Sequence, residues 1–188
     1  MPPNRLKGVA IAVGLGLPDM RSTGQNWMHW LGFKFGWPYM PNLVHYWFAR
    51  EAAMQLDLSD EARFELQMQQ FWKSKPHPKD IEVFEDGREF RLALRSARQV
   101  YAQRWSEGTG QDGNLLSRDF GFRVQDIRKD LPVRLWYGKQ DTHCPPSHGK
   151  QIAERLGANA KLRVEDETHA SLTLNWRRRI LEDLLKSL

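Results

Sequence analysis

One cysteine, Cys144, occurs in the 188 residues. An internal disulfide is thereby excluded, and the count suits a reducing compartment. Uninterrupted hydrophobic runs of membrane length are lacking as well. The most apolar stretch, Trp27 to Phe48, is broken by Lys34, two histidines, Pro38 and Pro41, which argues against a membrane span. The start Met-Pro-Pro-Asn has no basic stretch, apolar core and small-residue cleavage site of a secretory leader. With the single thiol, this gives the expectation of a cytoplasmic protein. Internal repeats and low-complexity segments are missing. Charge of one sign is not segregated either, since 28 basic residues are interleaved with 23 acidic ones for a net +5. Arg177-Arg178-Arg179 is followed at once by Glu182 and Asp183. That pattern reads as a solvated helix face, and no nucleic-acid partner is expected because no recognition motif accompanies it.

What is present is enough apolar material for one folded domain, 40% of the residues with eight tryptophans. Gly8 to Gly16 is a continuous run of small and β-branched residues, as expected of a strand covered on both faces. Residues 131–137 and 160–165 also read as strands, followed by Asp141 and His169 on the loops beyond them. Acids just past the C-terminal ends of parallel strands are where an open sheet places its chemistry. An aspartate at one tip can accept the Nδ1 hydrogen bond of a histidine at the next, leaving Nε2 to take a proton from a nucleophile. The competing reading of Asp141 is a turn aspartate satisfying local backbone, and that of His169 an ordinary loop histidine.

Between the first two strands lies a long helical block with breaks at Gly36-Trp37-Pro38, Pro41-Asn42, Pro76-His77-Pro78 and Glu85-Asp86-Gly87. Phe64, Met68 and Phe71 repeat at helical spacing after an N-cap near Asp57 or Ser59, and Phe90, Leu94, Ala97, Tyr101 and Trp105 do the same. Glu107 to Asn114 reads as a turn-rich connector. Ser147 to Leu156 reads as a short helix closed by Gly157, and Trp176, Ile180, Leu184 and Leu188 form the stripe of a terminal helix.

Pro132 to Asp141 with Cys144-Pro145-Pro146, the helix to Leu156, the strand near Lys161 to Val164 and Thr168-His169-Ala170-Ser171-Leu172 together resemble the C-terminal part of the α/β-hydrolase family. Arg5 to Gly16 is similar to the strand that follows the nucleophile's helix in that family. The resemblance implies an α/β fold with about three parallel strands (8–16, 131–137, 160–165), flanking helices, a helical cap over 17–113 and an acid- and histidine-bearing part over 114–188, all within one incomplete domain. It implies the chain order nucleophile, acid, histidine, with Asp141 as the acid and His169 as the base. No serine in the chain has the G-x-S-x-G surroundings of the family's nucleophile elbow. The expectation is therefore a hydrolase of an ester or related bond in a small apolar substrate when complete, and an inactive chain by itself. The alternative is a non-catalytic interaction or regulatory protein derived from a hydrolase.

No cofactor is expected. His143, Cys144 and His148 invite a metal reading, but two consecutive ligands followed by two prolines make poor tetrahedral geometry, and no metal is assigned. Trp27, Trp30, Phe33, Phe35, Trp37, Tyr39, Tyr46, Trp47 and Phe48 could line an apolar pocket, pack short helices together, or form an exposed patch for lipid or protein. The first strand lacks its family neighbour, so its edge is expected to be open to a second copy or a complementary chain.

Overall fold

A computed structural model describes residues 5–102 and 108–187 of the chain. Trp105, Glu107 and Leu188, named above, lie outside them. Two compact units emerge, one of Met1–Trp30 with Asp119–Leu188 and one of Leu31–Arg118.

The first unit is mixed α/β. Its strands β1 (Val9–Ala12), β2 (Val133–Gly138) and β3 (Ala160–Glu165) form a parallel sheet in the order β1-β2-β3. Val9 is opposite Val133, and Val133 opposite Ala160, so Ile11, Leu135 and Leu162 share one row of the sheet. β2 is central, and the alternation of a strand sends its side chains to two different cores. Val133, Leu135 and Tyr137 pack with Ile152 and Leu156 of the helix Pro146–Leu156. Trp136 points the other way, onto Leu172 of the helix His169–Asn175 and Ile180 of the helix Arg177–Leu185. Burial on both faces explains why β2 is apolar apart from Arg134, which reaches Asp183 at 3.6 Å, rather than alternating.

β1 is shorter than the run from Gly8 to Gly16 predicts. Val13 donates its N–H to Trp136 O at 2.8 Å and then turns out of the strand with φ 48°, a left-handed conformation that crowds a β-branched side chain. Val9 and Val13 both direct their N–H toward β2. The alternation of a parallel ladder therefore turns the backbone groups of Ala10 and Ala12 toward the open side.

The second unit is helical: Trp37–Tyr39, Pro41–Phe48, Asp60–Lys73, Pro78–Phe84, Arg88–Tyr101 and Thr109–Leu116 are its α-helices. Ser59 caps the third of these, its Oγ accepting the Ala62 N–H at 3.2 Å. Pro78 opens the fourth at a position where the missing N–H costs nothing. Gly87, at φ 69°, breaks the chain before the fifth. The apolar sides meet in a ring cluster, with Phe84 stacked on Phe90 at 4.1 Å and Phe71 edge-on to both.

The expected connector from Glu107 to Asn114 is corrected by the structure, because Thr109–Leu116 is a helix and its glycines are buried. Gly113 lies flat against the Trp37 indole, where a Cβ would come within 2.2 Å of a ring carbon. Here glycine serves close packing, a signal that looks like a turn when the partner is 76 residues away in sequence. Among the described residues no helix is long and apolar enough to cross a membrane.

Candidate functional site

The candidate site lies within the sheet unit, where the tails of β2 and β3 are laced together past the end of the ladder. Lys139 N–H donates to Glu165 O at 2.7 Å and Gln140 N–H to Glu167 O at 3.0 Å. Asp141 then turns back, its N–H reaching Gly138 O at 3.2 Å. On the other tail Thr168 and Ser171 form a reciprocal cap: Thr168 Oγ1 accepts the Ser171 N–H at 3.1 Å, and Ser171 Oγ accepts the Thr168 N–H at 2.9 Å. Ser171 Oγ donates to Glu167 Oε2 at 2.6 Å. This cap starts the helix His169–Asn175, so His169 is the first residue of a helix rather than part of a loop.

Asp141 and His169 are brought together. The Asp141 carboxylate is fully buried, and its two oxygens divide the work. Oδ1 accepts the backbone N–H of His143 at 2.8 Å and of Cys144 at 2.9 Å. Oδ2 lies 2.9 Å from His169 Nδ1. The turn-aspartate reading and the acid reading are thus both met by one side chain. With the carboxylate ionised, Nδ1 carries the proton and donates it, which fixes the ring orientation and leaves Nε2 as the second nitrogen.

Burial works against a charge on His169, but the hydrogen bonds and negative charge of Asp141 and the Cys144 side chain outweigh it and push the imidazole up to about 10. The shift favours the doubly protonated ring beside the Asp141 side chain. His29 is shifted the other way, lowered by burial and by the nearby His169 charge, with Asp141 opposing. His148 is lowered by burial, Asp141 again opposing.

These directions predict a stability maximum near the ordinary histidine value of 6.5. A group raised in the fold stabilises fully below its unfolded value, and that contribution is lost as pH climbs through the folded one. Groups lowered in the fold do the reverse. Stability is expected to fall from pH 6.5 toward about 10 as His169 loses its proton, and to fall on the acid side as unfolded His29 and His148 take up protons. With 40% of the His169 side chain exposed, solvent screening reduces the alkaline limb to about 1–2 kcal/mol. Thermal melts across this range provide the check. His169→Ala should flatten the alkaline limb, and an unchanged limb would refute the assignment.

His29 is a site neighbour that sequence reasoning missed. Its ring centroid is 4.2 Å from that of His143, which is 5.4 Å from that of His169. Tertiary hydrogen bonds bring it there: Asn26 N–H to Thr142 O at 2.7 Å and Gln25 Nε2 to His143 O at 3.0 Å. No local pattern around His29 signals this. His148, by contrast, is buried with Gly16 against its ring and no hydrogen-bond partner at Nδ1. Among the described residues no cluster of His, Cys, Asp or Glu is arranged to hold a metal ion.

The class the geometry defines is an α/β unit whose parallel strands present a buried aspartate to a histidine at their C-terminal tips. No protein-family model matches the chain, and no curated protein is significantly similar to it.

Proposed function

We propose that this chain is the acid- and base-bearing portion of an α/β-hydrolase, acting on an ester or related bond in a small apolar substrate once a nucleophile is supplied. The observation that carries the reading is the 2.9 Å contact from His169 Nδ1 to a buried Asp141 oxygen at the tips of adjacent parallel strands. In this scheme His169 Nε2 accepts the nucleophile's proton and later returns it to the leaving group. Asp141 holds the tautomer and stabilises the imidazolium. The helical unit, inserted in the chain between β1 and β2, corresponds to the cap of such enzymes, and the whole chain to one incomplete domain.

Two features support inactivity of the 188 residues by themselves. No serine is set in a nucleophile elbow, and the backbone donors that would stabilise an oxyanion accompany that elbow. Hydrolysis of p-nitrophenyl esters by the chain alone is expected to match the buffer rate. Extended in frame to carry a nucleophile elbow, the protein should hydrolyse them, and Asp141→Asn should lower kcat by about a thousandfold or more. An extended protein indifferent to Asp141→Asn would sink the proposal.

The second reading is a non-catalytic interaction protein derived from a hydrolase, favoured by the cationic His169 and by β1 standing at the sheet edge. Such an edge pairs with a second copy or a complementary strand. Concentration-dependent association without labelling by a fluorophosphonate would favour it.

A further inference from the structure

We infer that the exposed apolar face of residues 31–47 seats this protein on an anionic lipid surface. Within the helical unit, Leu31, Phe35 and Tyr39 follow one another at four-residue spacing, and Met40, Leu43, Tyr46 and Trp47 continue the exposed series across the next helix. Tyr39 is 76% exposed and Trp47 52%. Trp37 is the tryptophan of this stretch that goes into the core. Isolated exposed apolar residues are ordinary, but seven large ones within one short stretch are not.

Charge identifies the occupant. From Leu31 through Arg50 the sequence contains no aspartate or glutamate, while Lys34 and Arg50 are present, and Glu51 follows at once. At the end of the stretch the Arg50 guanidinium lies over the Tyr46 ring, 4.7 Å from its centroid, and donates to its hydroxyl at 2.8 Å. A second copy docking on the same face would set Lys34 and Arg50 against their own like charges, with Glu51 at the end of the stretch as the one neighbouring acid in the sequence. A bilayer carrying anionic headgroups offers the opposite charge and an apolar layer beneath it. Tryptophan and tyrosine suit that boundary because each has an apolar body and a polar handle. Pro38 and Pro41 break the stretch into short helices, which fits a segment lying in the plane of the surface rather than crossing it. Lipid contact by this face is independent of any catalytic role for His169.

The test is co-sedimentation of the intact chain with phosphatidylcholine vesicles carrying about one-third phosphatidylserine, against phosphatidylcholine alone. Binding to the anionic vesicles that weakens with added salt is expected. The double variant Tyr39→Glu with Trp47→Glu should bind at least about tenfold more weakly, and Lys34→Glu with Arg50→Glu should remove the preference for phosphatidylserine. Far-UV circular dichroism checks that both variants keep their helices. No binding to anionic vesicles overturns the inference. So does concentration-dependent self-association abolished by Tyr39→Glu with Trp47→Glu, without vesicle binding, which would assign the face to a second copy.

Discussion

Replacing Arg63 by methionine is expected to destabilise the helical unit by about 2–4 kcal/mol. Arg63 is hidden completely, at 0% exposure, on the helix Asp60–Lys73. It is buried because the neighbouring backbone needs it. In the short turn Ala52–Met54 the Ala52 carbonyl is met by the Gln55 N–H at a long 3.4 Å, and the guanidinium adds the shorter bonds. Arg63 Nε donates to Ala52 O at 3.1 Å and Nη2 to Ala53 O at 2.7 Å, a fork that only a planar guanidinium supplies. Gln70, two turns on, completes the clamp, its Nε2 reaching Arg50 O at 3.0 Å and its Oε1 accepting the Ala52 N–H at 3.3 Å. Methionine fills much of the volume and isolates the cost of removing these donors, which leaves Ala52 O with only the Gln55 N–H at 3.4 Å and takes the guanidinium from Ala53 O. Lysine keeps the charge but loses the fork, so it should rescue little. Urea unfolding followed by circular dichroism measures the loss. Arg91→Ala, which removes an exposed pair with Glu61, is the control expected to change little. Equal melting of the Arg63 and Arg91 variants would refute the clamp.

The second large effect is expected at Gly138, where β2 ends. A Cβ there would meet Glu167 O at 2.3 Å and Thr168 O at 2.9 Å. These are backbone atoms of the segment that leads into His169, so no side-chain rotation relieves the clash. Gly138→Ala must push the two strand tails apart, at a cost of about 3 kcal/mol. The same movement opens the contact between Asp141 and His169. The imidazole should then titrate well below about 10, back toward its ordinary 6.5, a change read from the pH dependence of its ring proton resonances. Gly32→Ala, where a Cβ meets nothing within 4 Å, is the matched control. A Gly138→Ala protein that melts like the parent with His169 unshifted would show that the loops are not held by this contact.

Much of the fold is legible in the sequence because it rests on local patterns. The mostly apolar run of β2, the alternation of β3, the glycine that closes the helix Pro146–Leu156 and the serine cap at Ser59 each lie within a few residues of what they control. The early end of β1 was not legible, since the run of small apolar residues continues past Val13 while the backbone leaves the strand. Neither was the helix Thr109–Leu116, where two glycines read as turn residues until Trp37 is seen lying against one of them. From sequence, the aromatic run fits pocket, packing or patch equally. The fold divides it, burying Trp37, half-burying Phe33 and Phe48, and leaving Tyr39, Tyr46 and Trp47 exposed.

The sequence by itself determined that an aspartate and a histidine would stand beyond two successive strands, the first of them buried, because periodicity and turn residues are properties of short segments. Only the tertiary structure decided that they meet at 2.9 Å, that His29 approaches them, and that Arg63 is buried. Each of those depends on contacts between residues distant in the chain. Their free energy is set by the burial and hydrogen bonding that the assembled fold provides, which no window of sequence contains.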